Sequence, residues 1–396
     1  MFNKKTIEDI DVTGKTVLVR VDYNVPLDPS GNVTDNTRIK LSLPTINYLL
    51  EKGAKIILMS HLGRPKEAAE DKYRLTPAAK ELEKLISRPV KKFDETFNRE
   101  IKDYVKNSMK NSDIVMLENL RFNAGEKKNL KEFAADLASL ADIYVDDAFG
   151  AAHRAHASIS GVAEFLPAVS GFLLKKEVES LGELLENPKR PFVAVLGGSK
   201  VSDKILVISN LLNKVDCLIL GGGMTYTFLK AQGYEIGRSI CEDDQLQYAL
   251  DMIELAKKNK VKLMLPVDIV VAPEYAESAE NKNVGIDAIP ADWEGMGIGE
   301  KTIQLYREEI AKAKTIFWNG PMGVFEFERF AQSTKEVANA IADSGAVTVV
   351  GGGDTLAAIK KYGLNDKFSH VSSGGGASME FLEGKILPGV AALLDK

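Results

Sequence analysis

One pattern repeats through most of this chain: a short apolar run, a glycine turn, and then apolar residues at helical spacing. Residues 191–213, which read PFVAVLGGSKVSDKILVISNLLN, show it most clearly. The apolar run 192–196 is interrupted by Gly197 and Gly198, after which apolar residues recur every three or four positions. This pattern predicts a strand, a tight turn and a helix. Because such units follow one another along the chain, we expect parallel sheets connected by helices.

Two lysines follow these glycines at an unusual position. We expect Lys200 and Lys204 in the first turn of the helix, where cations oppose the helix macrodipole and repel each other. An anion at the helix N-terminus, most readily a polyphosphate, would remove both penalties. The alternative is that both lysines are solvated surface residues. The spacing matches neither a Walker A loop nor a dinucleotide-binding Gly-x-Gly-x-x-Gly turn, which disfavours a Rossmann dehydrogenase.

Length and charge narrow the classes of protein further. At 396 residues the chain is long for a single core, so we expect two domains. A net charge of -5 disfavours non-specific binding to nucleic acid or to an anionic membrane. Only two cysteines are present, and no segment has the roughly 18 apolar residues that a membrane span requires. We therefore expect a cytoplasmic protein with no nucleic-acid or membrane partner.

Cationic side chains gather after the predicted strands of the first half. Four apolar runs each lead into a polar loop, at residues 15–21, 55–60, 114–117 and 143–145. These loops and the helix that follows the first of them carry Arg38, His61, Arg64, Arg121, His153, Arg154 and His156. Ligands bind beyond the carboxyl ends of parallel strands. The loops therefore predict a pocket for a small, multiply negative ligand held by guanidinium groups.

Metal ligands could come from two places in the sequence. His153 and His156 with Asp146 or Asp147 could hold a metal, but no third strong ligand has motif spacing. Asp354, which follows a run of three glycines, is the better candidate. Mg²⁺ is usually held by one or two carboxylates together with substrate phosphates.

The second half repeats the change from apolar run to glycine turn. The further turns lie at residues 221–223, 319–323, 351–353 and 374–376. One glycine turn often serves only close packing, but several at one sheet edge favour a nucleotide cradle of backbone amides. Residues 171–187 have apolar positions at helical spacing and end at prolines, which predicts a helix between two domains. Residues 272–302 lack a period, and we expect irregular surface structure there.

An anion pocket in one half and a magnesium–polyphosphate site in the other predict phosphoryl transfer, whose catalysis is mostly positioning and charge neutralisation. No catalytic base stands out, which fits an acceptor oxygen that carries no proton. Eight motifs then occur in the order of one family, and the chain resembles the phosphoglycerate kinases over nearly its whole length. The motifs are RVDYNVP (20–26), HLGRP (61–65), ENLRF (118–122), DAFGAAHR (147–154), GGSKVSDK (197–204), WNGPMGVFE (318–326), GGGDT (351–355) and SGGGASMEFLEG (373–384).

The resemblance implies the glycolytic reaction in which 1,3-bisphosphoglycerate and MgADP give 3-phosphoglycerate and MgATP. It implies an α/β monomer of two Rossmann-like three-layer lobes with parallel sheets, joined by a connecting helix and hinged across a cleft. The implied domains are a phosphoglycerate-binding domain, the connecting helix, a nucleotide-binding domain and a segment that returns to the first domain. Their limits are residues 1–170, 171–188, 189–372 and 373–396.

The resemblance also implies roles for residues in the matched motifs. Those implied to bind phosphoglycerate are Asp22, Tyr23, Asn24, Arg38, His61, Leu62, Gly63, Arg64, Arg121 and Arg154. Those implied to bind the nucleotide are Gly198, Lys200, Lys204, Gly221, Gly295, Glu326 on the ribose, Gly352, Gly353, Asp354 on Mg²⁺, and Thr355. Those implied to stabilise the phosphoryl group in transfer are Arg38, Lys200, Gly374 and Gly375.

Some positions depart from the family pattern. Residues 292–302 read DWEGMGIGEKT, in which Glu294, Gly297 and Glu300 are unexpected. Asp146 stands where asparagine is common, and one hypothesis is that its charge slightly weakens phosphoglycerate binding. Two alternatives to this reading are another small-carboxylate kinase on the same fold and a two-lobed anion-binding protein. The second alternative leaves the nucleotide-type turns unexplained.

Overall fold

The computed structural model describes residues 2–66 and 69–396 and confirms the α/β fold class. Within those residues it contains two parallel six-stranded sheets and one three-stranded antiparallel sheet. The chain forms two compact units: the residues up to Glu179 together with Ile386–Lys396, and Ser180–Lys385. Among the helices of the described residues, none is long and apolar enough to cross a membrane.

The first unit is built on a sheet whose strands all run parallel, in the order β3-β4-β2-β1-β5-β6. The strands are β1 (Thr16–Arg20), β2 (Lys55–Met59), β3 (Lys91–Lys92), β4 (Ile114–Met116), β5 (Ile143–Asp146) and β6 (Ala168–Ser170). The centre of β1 is apolar and fully buried, as parallel strands covered on both faces require. Because β4, β2, β1 and β5 are parallel neighbours, the loops that follow them lie at one edge of the sheet. All four strands predicted in this half are confirmed to within two residues at each end.

Helices connect the strands of the first unit. They are α1 (Thr37–Glu51), α2 (Thr76–Ile86), α3 (Arg99–Asn107), α4 (Ala124–Lys127), α5 (Lys131–Ala138) and α6 (Phe172–Glu186). The helix predicted at residues 171–187 is confirmed as α6, and it passes from the first unit into the second between Glu179 and Ser180.

The second unit contains the other parallel sheet, in the order β15-β14-β13-β7-β8-β9, and the antiparallel sheet, in the order β11-β10-β12. Its strands are β7 (Phe192–Leu196), β8 (Cys217–Leu220), β9 (Lys262–Met264), β10 (Asp268–Ala272), β11 (Lys282–Gly285), β12 (Glu294–Ile298), β13 (Thr315–Asn319), β14 (Val347–Gly351) and β15 (His370–Val371). The glycine turns after β7, β8, β13 and β14 therefore share one sheet edge, as the sequence predicts.

Helices connect the strands of the parallel sheet in the second unit. They are α7 (Ile205–Leu211), α8 (Met224–Ala231), α9 (Leu246–Lys258), α10 (Glu300–Ile310), α11 (Gln332–Ala342), α12 (Gly353–Lys361) and α13 (Gly376–Leu382). A last short helix, α14 (Pro388–Ala391), lies in the segment that belongs to the first unit.

The prediction of irregular structure at residues 272–302 is wrong in part, although residues 273–281 and 286–293 do lack helix and strand. Two of the three antiparallel strands, β11 and β12, lie in that segment, and both pair with β10. β12 reads EGMGI, whose glycines and glutamate do not give the β-branched signal of a strand. It is held by pairing with β10, of which Ile269 and Val271 are fully buried.

The end of the chain completes the first unit. Leu394 N donates to Ala168 O of β6 at 2.9 Å, and Lys5 N donates to Leu394 O at 2.7 Å. Lys4 pairs with Asp395 at 2.8 Å. The segment 386–396 is thus bound between the beginning of the chain and the edge of the first sheet.

The compact units divide the chain at two positions, one of which differs from the limits implied by the resemblance. The first boundary lies within α6, the helix that the resemblance implies between the domains, so only the second boundary differs, at Lys385 instead of residue 372. Residues 373–385 lie with the second unit because α13 packs on α7, where Asn210 Nδ2 donates to Leu382 O at 2.6 Å.

Candidate functional site

The loops after β1 and β2 are tied together at the edge of the first sheet. Arg38, near the start of α1, pairs with Asp22 at 2.7 Å between Nη1 and Oδ2. Gly63 N donates to Asn24 Oδ1 at 2.8 Å. The structure therefore brings together four of the predicted phosphoglycerate residues from three separate segments. Arg38 keeps 36% of its side chain exposed, so its guanidinium can reach a ligand while it is held by Asp22.

His61 lies among four arginines and is a neutral hydrogen-bond donor. Burial lowers its pKa well below the ordinary value, and the charges of Arg20, Arg121, Arg154 and Arg38 lower it further. Arg20 Nη2 lies 3.0 Å from His61 Nδ1, and because arginine can only donate, Nδ1 is the acceptor. The ring proton is therefore on Nε2. His61 offers this N–H to an anion without itself becoming a cation.

Arg20 is a functional candidate that our sequence analysis did not select. It is 1% exposed at the end of β1, and its Nε donates to Ser158 Oγ at 3.0 Å. Ser158 Oγ donates in turn to the buried carboxylate of Glu126 at 2.7 Å. This chain of contacts fixes the guanidinium that orients His61. The available signal was a single charged residue, Arg20, within the otherwise apolar run VLVRV (17–21).

Arg121 has the clearest unmet bonding capacity at this edge. Burial lowers its pKa to about 10, and Arg154 and Arg20 contribute to the lowering, yet it stays protonated at pH 7. Its Nε is buried, and within residues 2–66 and 69–396 it has no hydrogen-bond partner. A buried, unpaired charged donor costs about 1–3 kcal/mol or more. A bound anion would remove that cost and the repulsion among the arginines.

Of three other residues predicted to bind phosphoglycerate, two are buried and one is exposed. The Tyr23 phenol is fully buried and contacts Ser42 Oγ at 2.8 Å, so this side chain shapes the loop instead of facing a ligand. Leu62 is 4% exposed, and its backbone pairs with the Asn119 side chain at 3.2 and 2.7 Å. Arg64 is exposed. Tyr23 and Leu62 thus position their neighbours, while Arg64 is accessible to a ligand.

Asp146 and Asp147 lie in the core and do not face the pocket. Asp147 Oδ1 accepts from Leu173 N and Leu174 N at 2.8 and 3.3 Å and so caps the first turn of α6. Burial raises the pKa of Asp147 to about 7. Among the described residues, no three His, Cys, Asp or Glu side chains form a group that could hold a metal. The alternative metal site around His153 therefore has no support from the structure.

The position of Asp146 does not favour our hypothesis that its charge weakens phosphoglycerate binding. It is fully buried, its Oδ1 accepts from Ala148 N at 3.0 Å, and its Oδ2 lies against Gly389, where a Cβ would be 2.8 Å away. Burial raises its pKa to about 6 in spite of the Ala148 hydrogen bond and the charge of Arg20. The effect of its charge should therefore appear in stability more than in anion binding.

We expect Asp146→Asn to raise the free energy of unfolding at pH 7 by on the order of 2–3 kcal/mol. Because the pKa of about 6 in the folded protein exceeds the ordinary value of 3.8, the folded protein keeps a proton that the unfolded chain has lost between about pH 4 and 6. Stability is therefore lost as pH rises through this window. The neutral asparagine removes that loss, so the gain should shrink towards pH 4. Urea unfolding at several pH values measures it.

The matched control for this variant is Asp136→Asn, because Asp136 is exposed on α5. The control should follow the wild-type pH profile. An Asp146→Asn profile that is parallel to wild type between pH 4 and 7 would show that Asp146 carries no buried charge.

In the second unit, a cavity of ≈ 380 Å³ opens where β7, β8, β13 and β14 end. Glycines and Asp354 line one part of its wall, while tyrosines, apolar residues and two glutamates line another. The full lining is Gly198, Ser199, Gly222, Gly223, Tyr226, Ile240, Tyr275, Glu294, Gly295, Met296, Pro321, Gly323, Val324, Glu326 and Asp354. Four predicted nucleotide residues, Gly198, Gly295, Glu326 and Asp354, are therefore brought together.

The glycine turns allow the loops behind this cavity to touch. A Cβ on Gly197 would lie 2.0 Å from Pro321 O, and one on Gly221 would lie 2.5 Å from Met322 Sδ. Gly320, at a φ of +97°, would meet Gly197 O at 2.2 Å. Gly221, which we predicted to bind the nucleotide, thus allows close packing. Close packing was the alternative interpretation of a single glycine turn. Gly295 lets the Tyr226 ring, which also lines the cavity, lie close against it, since a Cβ there would lie 2.0 Å from Tyr226 Oη.

The two lysines are not placed as the sequence analysis predicts. Ser202–Lys204 forms a 3₁₀ turn and α7 begins only at Ile205, so Lys200 is not in a first helical turn. Lys200 is exposed. Lys204 donates to the Asn319 side chain, and burial lowers its pKa to about 8, although the nearby charges of Asp203 and Asp354 oppose the lowering. Helix dipoles therefore do not explain Lys200, but Lys204 does lie near Asp354.

In the turn after β14, Asp354 lies on the cavity wall while its neighbours hold the turn in shape. α12 begins at Gly353, which places Asp354 in its first turn and on the cavity wall. Thr355 is fully buried and its Oγ1 accepts from Gly320 N at 2.7 Å. Gly352 has a φ of +96°, which favours glycine. Thr355 and Gly352 thus hold the turn that presents Asp354.

The glycines before α13 form the last turn of the second unit. Gly374 N donates to Ser372 Oγ at 3.2 Å, and Gly375 has a φ of +51° immediately before the helix. Neither residue is part of the cavity wall. Their predicted role on the phosphoryl group remains a prediction.

The chain is similar to known proteins over nearly its whole length. A family model described as phosphoglycerate kinase matches residues 7–385. The chain is similar to the solved structure of phosphoglycerate kinase from Coxiella burnetii, with 45% identity, a TM-score of 0.90 and 98% of each chain covered. It is also similar to that of phosphoglycerate kinase from Pyrococcus horikoshii OT3, with 35% identity, a TM-score of 0.84 and 98% of each chain covered.

Proposed function

Since this chain belongs to the phosphoglycerate kinase family, we propose that each of its two units holds one substrate of that reaction. The chain is a phosphotransferase of glycolysis with a carboxyl group as acceptor. Phosphoglycerate binds at the edge of the first sheet, and the adenine nucleotide binds in the cavity of the second unit. The observation that carries the first assignment is the buried Nε of Arg121, a cation that the charges of Arg154 and Arg20 repel.

The phosphoglycerate site works by charge and by fixed donors. Arg38, Arg64, Arg121 and Arg154 neutralise the phosphate and carboxylate groups, and forked guanidinium contacts orient them. The neutral His61 adds the Nε2 donor that Arg20 fixes in place. Asp22 holds Arg38 at 2.7 Å, which reduces the reorganisation needed when the acyl phosphate binds.

The nucleotide lies with its phosphates towards the glycines and Asp354. Glu294 and Glu326 on the other part of the wall repel a polyphosphate, which leaves that part for the base and the sugar. Lys204 and the exposed Lys200 lie on the same loop as Gly198 and supply positive charge for the phosphates. Glu326, whose Oε2 accepts from Phe325 N at 3.0 Å, is held ready to accept from the ribose hydroxyls.

The residues present fit a magnesium ion that arrives with the nucleotide. Asp354 is a single carboxylate on the cavity wall, and among the residues that the structure describes there is no larger group of metal ligands. One carboxylate plus substrate phosphates is a usual arrangement for Mg²⁺. The ion would neutralise phosphate charge, and Asp354 would orient it.

Transfer needs charge stabilisation and exclusion of water instead of a base. The acceptor carboxylate or phosphate oxygen has no proton to lose, so Arg38 from the first unit and Lys200 from the second neutralise the group in transfer. The amides of Gly374 and Gly375 add donors to it. Exclusion of water would protect the acyl phosphate from hydrolysis. We also propose that the protein is a cytoplasmic monomer. Its two cysteines, Cys217 and Cys241, are free, which suits a reducing compartment.

The direct test is MgATP-dependent phosphorylation of 3-phosphoglycerate, coupled to NADH oxidation through added glyceraldehyde-3-phosphate dehydrogenase. We expect turnover that requires both 3-phosphoglycerate and Mg²⁺. Other small carboxylates should replace 3-phosphoglycerate poorly, because the arginine set fits a ligand with two anionic groups. A protein that binds MgATP but does not turn over 3-phosphoglycerate would mean that the first unit serves another acceptor.

A further inference from the structure

Glu294 is a carboxylate on the cavity wall with no polar partner. Within the described ranges, its side chain takes part in no ion pair and no hydrogen bond, while Glu326 on the same wall accepts from Phe325 N. The cation that β11 contributes to the same sheet, Lys282, lies over the Trp293 ring at 4.1 Å. Glu294 is therefore an acceptor left available to a ligand.

The surroundings of Glu294 are those of a flat apolar group. Tyr226 and Tyr275 line the same cavity as Glu294. Burial raises the pKa of both phenols, and the nearby charge of Glu294 contributes to the rise. Ile240, Met296 and Val324 complete an apolar wall around it. A nucleobase fits such a wall, whereas a phosphate would be repelled by the carboxylate. The base, rather than the sugar or the phosphates, is thus the part of a nucleotide that Glu294 meets.

We propose that Glu294 is a specificity-determining residue that accepts a hydrogen bond from an exocyclic amino group of the purine base. This inference rests on the proposed placement of the nucleotide in the cavity. A carboxylate only accepts, so it favours bases with an N–H donor at that point and disfavours bases that present a bare ring nitrogen. The chain therefore selects amino-bearing purine nucleotides, of which ADP is one. The contact raises affinity without touching the reacting atoms.

The experiment compares ADP with purine riboside 5′-diphosphate, which lacks the amino group, by calorimetric titration in the presence of Mg²⁺. Hydrogen bonds to charged groups correspond to roughly tenfold or more in affinity. We expect wild type to bind ADP about tenfold more tightly than the analogue. In Glu294→Met the ratio should fall to about one through weaker binding of ADP alone. Glu294→Gln retains an amide oxygen and should keep part of the ratio.

Two further variants separate this inference from the proposed function. Glu300→Met changes the same residue type six positions away, at an exposed site outside the cavity, and should keep the wild-type ratio. Ile240→Ala removes part of the apolar wall and should weaken both nucleotides equally. If Ile240→Ala weakens both while Glu294→Met keeps the tenfold ratio, the inference about Glu294 fails and the nucleotide site stands. If neither variant changes either affinity, the nucleotide binds elsewhere and both fail.

Discussion

Replacing Arg38 with alanine is expected to lower kcat for phosphoryl transfer by roughly a hundredfold or more. Arg38 is the arginine that Asp22 holds at 2.7 Å while leaving 36% of the side chain exposed. In the proposed mechanism Arg38 meets charge on the phosphoryl group that is less developed in the ground state, so we expect kcat to fall more than the KM for 3-phosphoglycerate rises. Steady-state kinetics with the coupled assay measure both constants.

Two comparisons keep this result interpretable. Arg99→Ala removes an arginine whose side chain is 95% exposed on α3, and its kcat should equal that of wild type. Arg38→Lys keeps a positive charge but loses the planar fork, and it should recover only part of kcat. A large rise in KM with kcat unchanged in Arg38→Ala would instead assign Arg38 to ground-state binding.

The second large effect is expected for Lys200→Ala, with a loss of kcat of similar size. Lys200 is exposed and, in the part of the chain that the structure describes, its side chain makes no hydrogen bond or ion pair. Its removal should therefore leave thermal unfolding unchanged, so that the kinetic loss cannot be attributed to misfolding. Kinetics together with a melting curve test both statements.

Lys258→Ala is the matched control for Lys200→Ala, since Lys258 is also exposed, near the end of α9. We expect wild-type kcat in the control. Equal kcat in wild type and Lys200→Ala would place Lys200 among solvated surface residues, which was the alternative left open by its sequence position.

The two parallel sheets could be predicted because their signal is local. Each strand of a parallel sheet is a short apolar run, and the chain marks the end of each with a polar loop or a glycine turn. The same reasoning placed the cations of the first unit and the glycines of the second at the correct sheet edges. Parallel order and one shared edge then follow from the alternation of strands and helices.

Other features depend on contacts that a sequence does not show. β12 forms because β10 offers it backbone partners, in spite of its own two glycines. We predicted Lys200 in a helix because the apolar period begins nearby. In the structure, Val201 N instead donates to Glu242 Oε2 at 2.7 Å, and Ser202–Lys204 forms a 3₁₀ turn before the helix. Arg20 looked like one exception in a strand until its contacts with Ser158 and His61 were seen.

The attachment of the last residues to the first unit affects the order in which the protein can fold during synthesis. Ser180–Lys385 is one continuous stretch, so the second unit has all its residues before Ile386 is made. The first unit begins earlier, yet the strand edge at Ala168 receives its partner Leu394 only when translation reaches residue 394. The unit that is translated first is therefore the last to be completed, and until then its growing chain carries an open sheet edge.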